Sequence, residues 1–198
     1  MVKILIVSGV LLYATSQLVV MMAQGNTPEQ PYEVLKKSGE VEFRFYPPAI
    51  EASVQKQGEY ERMMNNGFRE LAGYIFGGNE AKQTIAMTAP VKMELDSTQA
   101  AGRFSFIMPE DFQLGKHPKP NSGNIQFKQT DPTYTASITF GGYATDAKRE
   151  KYTQMLLNEL KTQQIVVKSS VKYLYYNPPM QVLNRRNEVL VEVQAPAN

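Results

Sequence analysis

A chain of 198 residues, 42% apolar and 20% charged, suits one globular domain with a sizeable core and a terminal appendage. Its 21 basic and 19 acidic residues are interspersed, so no phosphate-tracking stripe exists and nucleic acid is an unsuited partner. The absence of cysteine removes disulfides, thiolate catalysis, CxxCH cofactor attachment, iron–sulfur clusters and cysteine-based zinc sites together.

Residues 1–24 read as a separate object, a signal anchor or a signal peptide. After Met1-Val2-Lys3, residues 4–23 are mostly apolar, and roughly 20 apolar residues span a bilayer as a helix. A cleavage site before Gln24 would have Ala23 in place but the bulky Met21 two residues earlier, which favours an uncleaved anchor. Lys3 is the only basic residue ahead of the run, so charge barely sets its orientation. By analogy with ordinary signal anchors the domain is expected outside the cytoplasmic membrane, in the periplasm, with secretion after cleavage as the alternative. Residues 25–31 form a polar linker, and one domain is expected over residues 32–195.

That domain reads as strands around two helices. Residues 32–35 are short and extended, and 40–46 alternate charged and apolar side chains as a half-buried strand does. Extension resumes over 49–54 after Pro47-Pro48. A helix is expected over 59–76, with Tyr60, Met64, Phe68, Leu71 and Ile75 on one stripe. Gly77-Gly78-Asn79 stops it. Residues 84–95 read as one strand with a proline break, and 103–108 as another ended by Pro109. Residues 110–123 read as a long loop. Strands follow at 125–128 and 134–140, and a second helix over 146–163 carries Tyr152, Leu156 and Leu160 on its stripe. Strands at 171–176 and 188–193 close the chain, separated by a turn at Asn177-Pro178-Pro179. The two halves repeat weakly, with a period near 80–90 residues. The expected class is α+β: a distorted, mostly antiparallel β-barrel with two packed helices and an internal pseudo-twofold repeat.

Reactive constellations are missing. The single histidine, His117, lies in a proline-rich loop, a poor place to fix an imidazole tautomer. No G-x-S-x-G, H-E-x-x-H, P-loop or dinucleotide motif occurs. No catalytic residue and no metal ligand set is assigned, and a binding protein is expected in preference to an enzyme. What remains is apolar and aromatic: 11 Tyr, 9 Phe and 10 Met. Such residues pack cores, and they also suit a flat apolar ligand. Met64, in mid-stripe, is expected in the core. Met63 and Tyr74, on the stripe's flank, are expected to line a groove, with Gly67 between them allowing close approach of a ligand. Tyr176 and Met180, near the last hairpin, complete that set.

Five segments resemble the SOUL/haem-binding protein family: residues 31–35 leading into 41–46, residues 66–79, Met87-Thr88-Ala89-Pro90-Val91, residues 104–109, and 176–179 with 185–189. They lie in order from about residue 31 to the end of the chain. The resemblance implies a distorted barrel with two helices and an internal pseudo-twofold, similar to small-molecule effector-binding domains. It implies non-covalent binding of haem or another tetrapyrrole in a shallow groove between the first helix and the loop at about 177–186. Arg69, Arg185 and Arg186 are then the candidates to meet propionates. It departs from some relatives in having no histidine near the start of the domain, which leaves His117 as the one imidazole available as an iron ligand. An envelope buffer or carrier of haem is the implied role. A module for another hydrophobic small molecule, or an enzyme acting on tetrapyrroles, are the alternatives.

Overall fold

The computed structural model describes residues 27–96 and 98–195. The apolar run expected as an anchor or signal lies outside the described residues. Among the described residues nine strands form one antiparallel sheet: β1 (Glu33–Ser38), β2 (Val41–Tyr46), β3 (Ile50–Gln57), β4 (Val91–Leu95), β5 (Ala101–Ile107), β6 (Gln126–Gln129), β7 (Thr133–Gly141), β8 (Lys172–Tyr175) and β9 (Arg186–Glu192). Helix α1 (Tyr60–Ile75) joins β3 to β4, and α2 (Asp146–Thr162) joins β7 to β8.

The strand order is β1-β2-β7-β9-β8-β4-β5-β3-β6, which requires a curled sheet. In a flat sheet β7, third in the order, and β6, ninth, would stand ~29 Å apart. Yet they are consecutive in the chain, and the four steps from Gln129 to Thr133 reach at most about 14 Å. The sheet therefore bends into a half-barrel, the α+β distorted barrel expected from the sequence. Strand, helix, strand, strand recurs as β3-α1-β4-β5 and β7-α2-β8-β9. This is a repeat of connectivity, and it does not establish the pseudo-twofold relation.

Alternation along the strands separates two faces. On one face, Ala52, Val54, Met93, Phe104 and Phe106 pack under α1. On the same side Ala136, Ile138, Phe140, Val189 and Val191 pack under α2. The other face lines the inside of the curl, where a cavity of about 600 Å³ holds Glu51, Lys92, Glu94, Arg103, Lys172 and Glu192. These charges are paired across strands: Lys92 with Glu51 at 2.7 Å, Arg103 with Glu94 at 3.6 Å, and Lys172 with Glu192.

Two expectations change. Residues 84–90 are not part of the strand they were expected to begin; β4 starts at Val91. Pro90 has no N–H for a ladder, and Ala89 spends both backbone groups on Pro28 and Gln30, each at 2.8 Å. Ala89–Pro90 is a cis peptide. The second change is the phase of α1. Leu71 and Ile75 are buried as expected, but in the first half of the helix Met63 and Gly67 are buried in place of Met64 and Phe68, with Ala72 and Tyr74 buried beside them. Gly67 sets this phase: it lies so near β5 that a β-carbon there would come within 2.6 Å of the Phe104 ring. Gly77, at φ +102°, then lets the chain leave the helix.

Candidate functional site

Turning Met63 and Gly67 inward leaves Tyr60, Met64 and Phe68 on the neighbouring face of α1. There they form one wall of a groove of about 610 Å³. Met87, Ala89, Val91 and Phe104 make its floor, and Tyr143, Tyr175, Tyr176 and residues 177–180 close the far side. The groove thus runs between α1 and the loop joining β8 to β9. It is mostly apolar and differs in kind from the charged cavity inside the curl.

Two cations stand in its lining, Arg149 and Arg185. Arg149 enters from the first turn of α2. Its guanidinium carbon lies 3.6 Å from the centre of the Tyr60 ring, a cation–π geometry. It donates to the Ala144 carbonyl at 2.7 Å and pairs with Asp146. Arg185 lies 4.5 Å from the Tyr143 ring centre. Its Nη1 donates to the carbonyls of Gln181 at 2.6 Å, Pro178 at 2.9 Å and Pro179 at 3.3 Å, which folds the loop around the guanidinium. Among the described residues no carboxylate forms an ion pair with Arg185. Burial draws it below its ordinary value, but arginine stays protonated in proteins.

The phenols of Tyr60, Tyr175 and Tyr176 remain neutral. Tyr60 and Tyr175 share a short hydroxyl contact. Burial pushes Tyr175 up to about 12 and raises Tyr60 well above the phenolic range. Tyr176 is raised in the same direction, first by burial and then by the charge of Glu188. Its hydroxyl donates to Glu188 at 3.2 Å. Glu188 is fully buried and also receives Arg44 at 2.6 Å and Arg186 at 2.7 Å. One groove wall is thereby fastened to a buried ionic knot that reaches the N-terminal strands.

Of the residues singled out in the sequence, Tyr176, Met180 and Arg185 line the groove. Met63, Gly67 and Tyr74 do not: all three are buried against the sheet, for the reason of helix phase given above. Tyr74 packs edge-on to Phe127 and donates to the Pro118 carbonyl at 3.0 Å. Arg69 is exposed and outside the lining. Arg186 also lies outside it, committed to Glu188, Glu29 and the Tyr32 hydroxyl. His117 stacks against Phe112 and packs tilted against Phe127, with ring centres 5.0 and 4.2 Å away, and is no part of the groove. Among the described residues no group of His, Cys, Asp and Glu stands close enough to hold a metal ion.

Sequence reasoning missed Met64, Phe68, Tyr60, Tyr143, Tyr175 and Arg149 as groove residues. The signal for the first three was present, because Gly67 within an apolar arc marks the side on which a helix can approach a strand. No pattern marks Arg149, which reads as one more polar residue of an exposed helix.

Comparison with solved structures gives the fold. The C-terminal domain of EcmrR superposes with a TM-score of 0.62 at 12% identity, covering 83% of this chain and 99% of that one. A hydrolase from Listeria innocua gives 0.54 at 9% identity, over 88% and 97%. Sequence relatives are closer. Heme-binding protein 2 of Mus musculus is 26% identical over 175 residues, covering 84% of this chain and 85% of the relative. Heme-binding protein 1 of the same species is 26% identical over 176 residues, covering 83% and 92%. The family description "SOUL heme-binding protein" matches residues 27–192. With that match over most of its length, the chain belongs to the SOUL heme-binding protein family.

Proposed function

We propose that the chain binds haem or another tetrapyrrole non-covalently in the groove between α1 and the β8–β9 loop. The observation that carries this reading is an apolar groove of about 610 Å³ with Arg149 and Arg185 in its lining. Its size is that of a small-ligand site, and the two cations offer partners for carboxylates at the edge of a flat apolar ring. Relatives whose names record haem binding support it. The reading is one of binding, without turnover. The protein is an envelope buffer or carrier, held by the apolar run of residues 4–23 with its domain on the periplasmic side; a secreted form after cleavage is the variant of this reading.

Among the described residues the lining contains no imidazole and no thiolate, and the phenols of Tyr60 and Tyr175 stay neutral. Apolar contact and charge then supply the affinity, so metal-free porphyrins and other flat apolar molecules compete with haem at the same site. The deciding experiment is a haem titration of the detergent-solubilised full chain, followed by its Soret band, with protoporphyrin as competitor. One saturable site that protoporphyrin displaces supports the reading. Absence of a saturable shift removes haem and leaves the groove to another hydrophobic ligand.

A further inference from the structure

The chain enters the domain at the groove. Thr27, the first described residue, is part of the groove lining. Directly behind it, Ala89 donates to the Pro28 carbonyl and Gln30 donates to the Ala89 carbonyl, both at 2.8 Å. Residues 28–30 are therefore clamped to the groove floor. The apolar run ends at Ala23, only four residues ahead of Thr27, a reach of at most about 14 Å.

The same rim is apolar and faces outward. Residues 177–186 contain no acid and two arginines. Leu183 is 56% exposed and Met180 66%, and Tyr143, stacked by Arg185, is 49% exposed. Met180 and Tyr143 line the groove and Leu183 lies in the same loop as Met180, so these exposed apolar side chains differ from singly scattered surface hydrophobics. Leucine and methionine beside tyrosine and arginine are the composition of a bilayer's interfacial zone.

We propose that this rim is a membrane-contact surface. With residues 4–23 in a phospholipid bilayer, the groove opens against the lipid and Leu183 and Tyr143 enter the headgroup layer. The proposal rests on the anchored reading above and adds an orientation to it. A tether of at most about 14 Å, clamped at its domain end, keeps the groove mouth close to the hydrocarbon boundary. The partner is lipid because the segment that reaches the rim has itself the length and apolarity to span a bilayer. An apolar ligand dissolved in the membrane then passes into the groove without crossing water.

The chain has no cysteine, so single-cysteine variants each carry one reporter. Leu183→Cys reports the rim. Lys37→Cys, 65% exposed and near the far end of α2 where Ser38 bonds Glu159, is the control. Each full-length variant is labelled with an environment-sensitive fluorophore and reconstituted in phosphatidylcholine vesicles, with and without acyl-brominated lipid. The expected result is flotation of both variants, with the label at 183 quenched several-fold more strongly than the label at 37. Flotation with equally weak quenching at both sites overturns the proposal and leaves the anchor intact. Failure to float overturns both. A label at 183 untouched by brominated lipid yet shielded from aqueous iodide also overturns the proposal, because the N-terminal run or a second copy then covers the rim.

Discussion

Gly67 of α1 rests against the ring of Phe104 on β5, with room for a hydrogen and none for a methyl group: a β-carbon would sit 2.6 Å from Phe104 Cγ and 2.7 Å from its Cβ. Those atoms are the root of a fully buried side chain, which cannot swing aside. Gly67→Val is expected to destabilise the fold by about 1–3 kcal/mol through overpacking, more than its gain in helix propensity. Gly73, in the same helix, faces open space, with nothing within 4 Å of where a β-carbon would stand, so Gly73→Ala is expected to add about 0.5–1 kcal/mol. Urea unfolding of the two variants checks both signs. Equal effects would show that helix propensity, and not the contact with β5, governs position 67.

The arginines divide by location. Arg185→Ala and Arg149→Ala are each expected to weaken haem binding about fivefold, on the order of 1 kcal/mol for one ionic contact. Arg69→Ala and His117→Ala are expected to leave both the affinity and the Soret maximum unchanged, since neither residue lines the groove. The same Soret titration reads all four. A shifted maximum in His117→Ala would place an imidazole on the iron and overturn this geometry.

The strands and helices were legible because each carries its own period, and Val91-Lys92-Met93-Glu94 shows the inward and outward alternation outright. The phase of α1 was not. Tyr60, Met63, Met64, Phe68, Leu71, Tyr74 and Ile75 fill an arc wider than the buried face, so apolar periodicity alone cannot choose between Met63 and Met64. The choice is made by Gly67, which adds nothing to a hydrophobic count but, as a gap in the apolar arc, marks the side that meets Phe104. The loop 110–123 was legible as a loop, but its packing was hidden. Phe112 stacks on Phe127, His117 packs tilted against it, and the Lys119 carbonyl accepts from the Glu80 N–H at 2.9 Å, contacts set by tertiary placement.

Glu188 is the acid on which the buried knot depends. Its removal leaves Arg44, 1% exposed, without its closest carboxylate, and Tyr176 without an acceptor for that hydroxyl bond. Glu188→Ala is expected to cost about 3 kcal/mol or more, and to weaken ligand binding through the displaced Tyr176 wall. Replacing the pair together, Arg44→Met with Glu188→Leu, is expected to cost less than the single change, because no buried charge is left unmatched. Thermal unfolding of the single and double variants measures the difference. A double variant less stable than Glu188→Ala would mean that the pair contributes net stability beyond its desolvation.

Buried phenols make the alkaline side of the stability curve steep. Burial, ahead of any charge effect, pushes Tyr46 and Tyr175 each up to about 12 from an ordinary 10.0. Between these values the unfolded chain releases phenolic protons that the folded chain keeps, so unfolding gains in favour as pH rises. Their contribution to stability is full below pH 10 and is lost as pH climbs through 12. The melting temperature is expected to fall across that window, with tyrosinate absorbance appearing together with unfolding. Tyr46→Phe and Tyr175→Phe each remove one titrating proton and are expected to flatten the slope. A melting temperature unchanged across the window, or tyrosinate formed in the folded protein near the ordinary 10.0, would show that these hydroxyls are open to water.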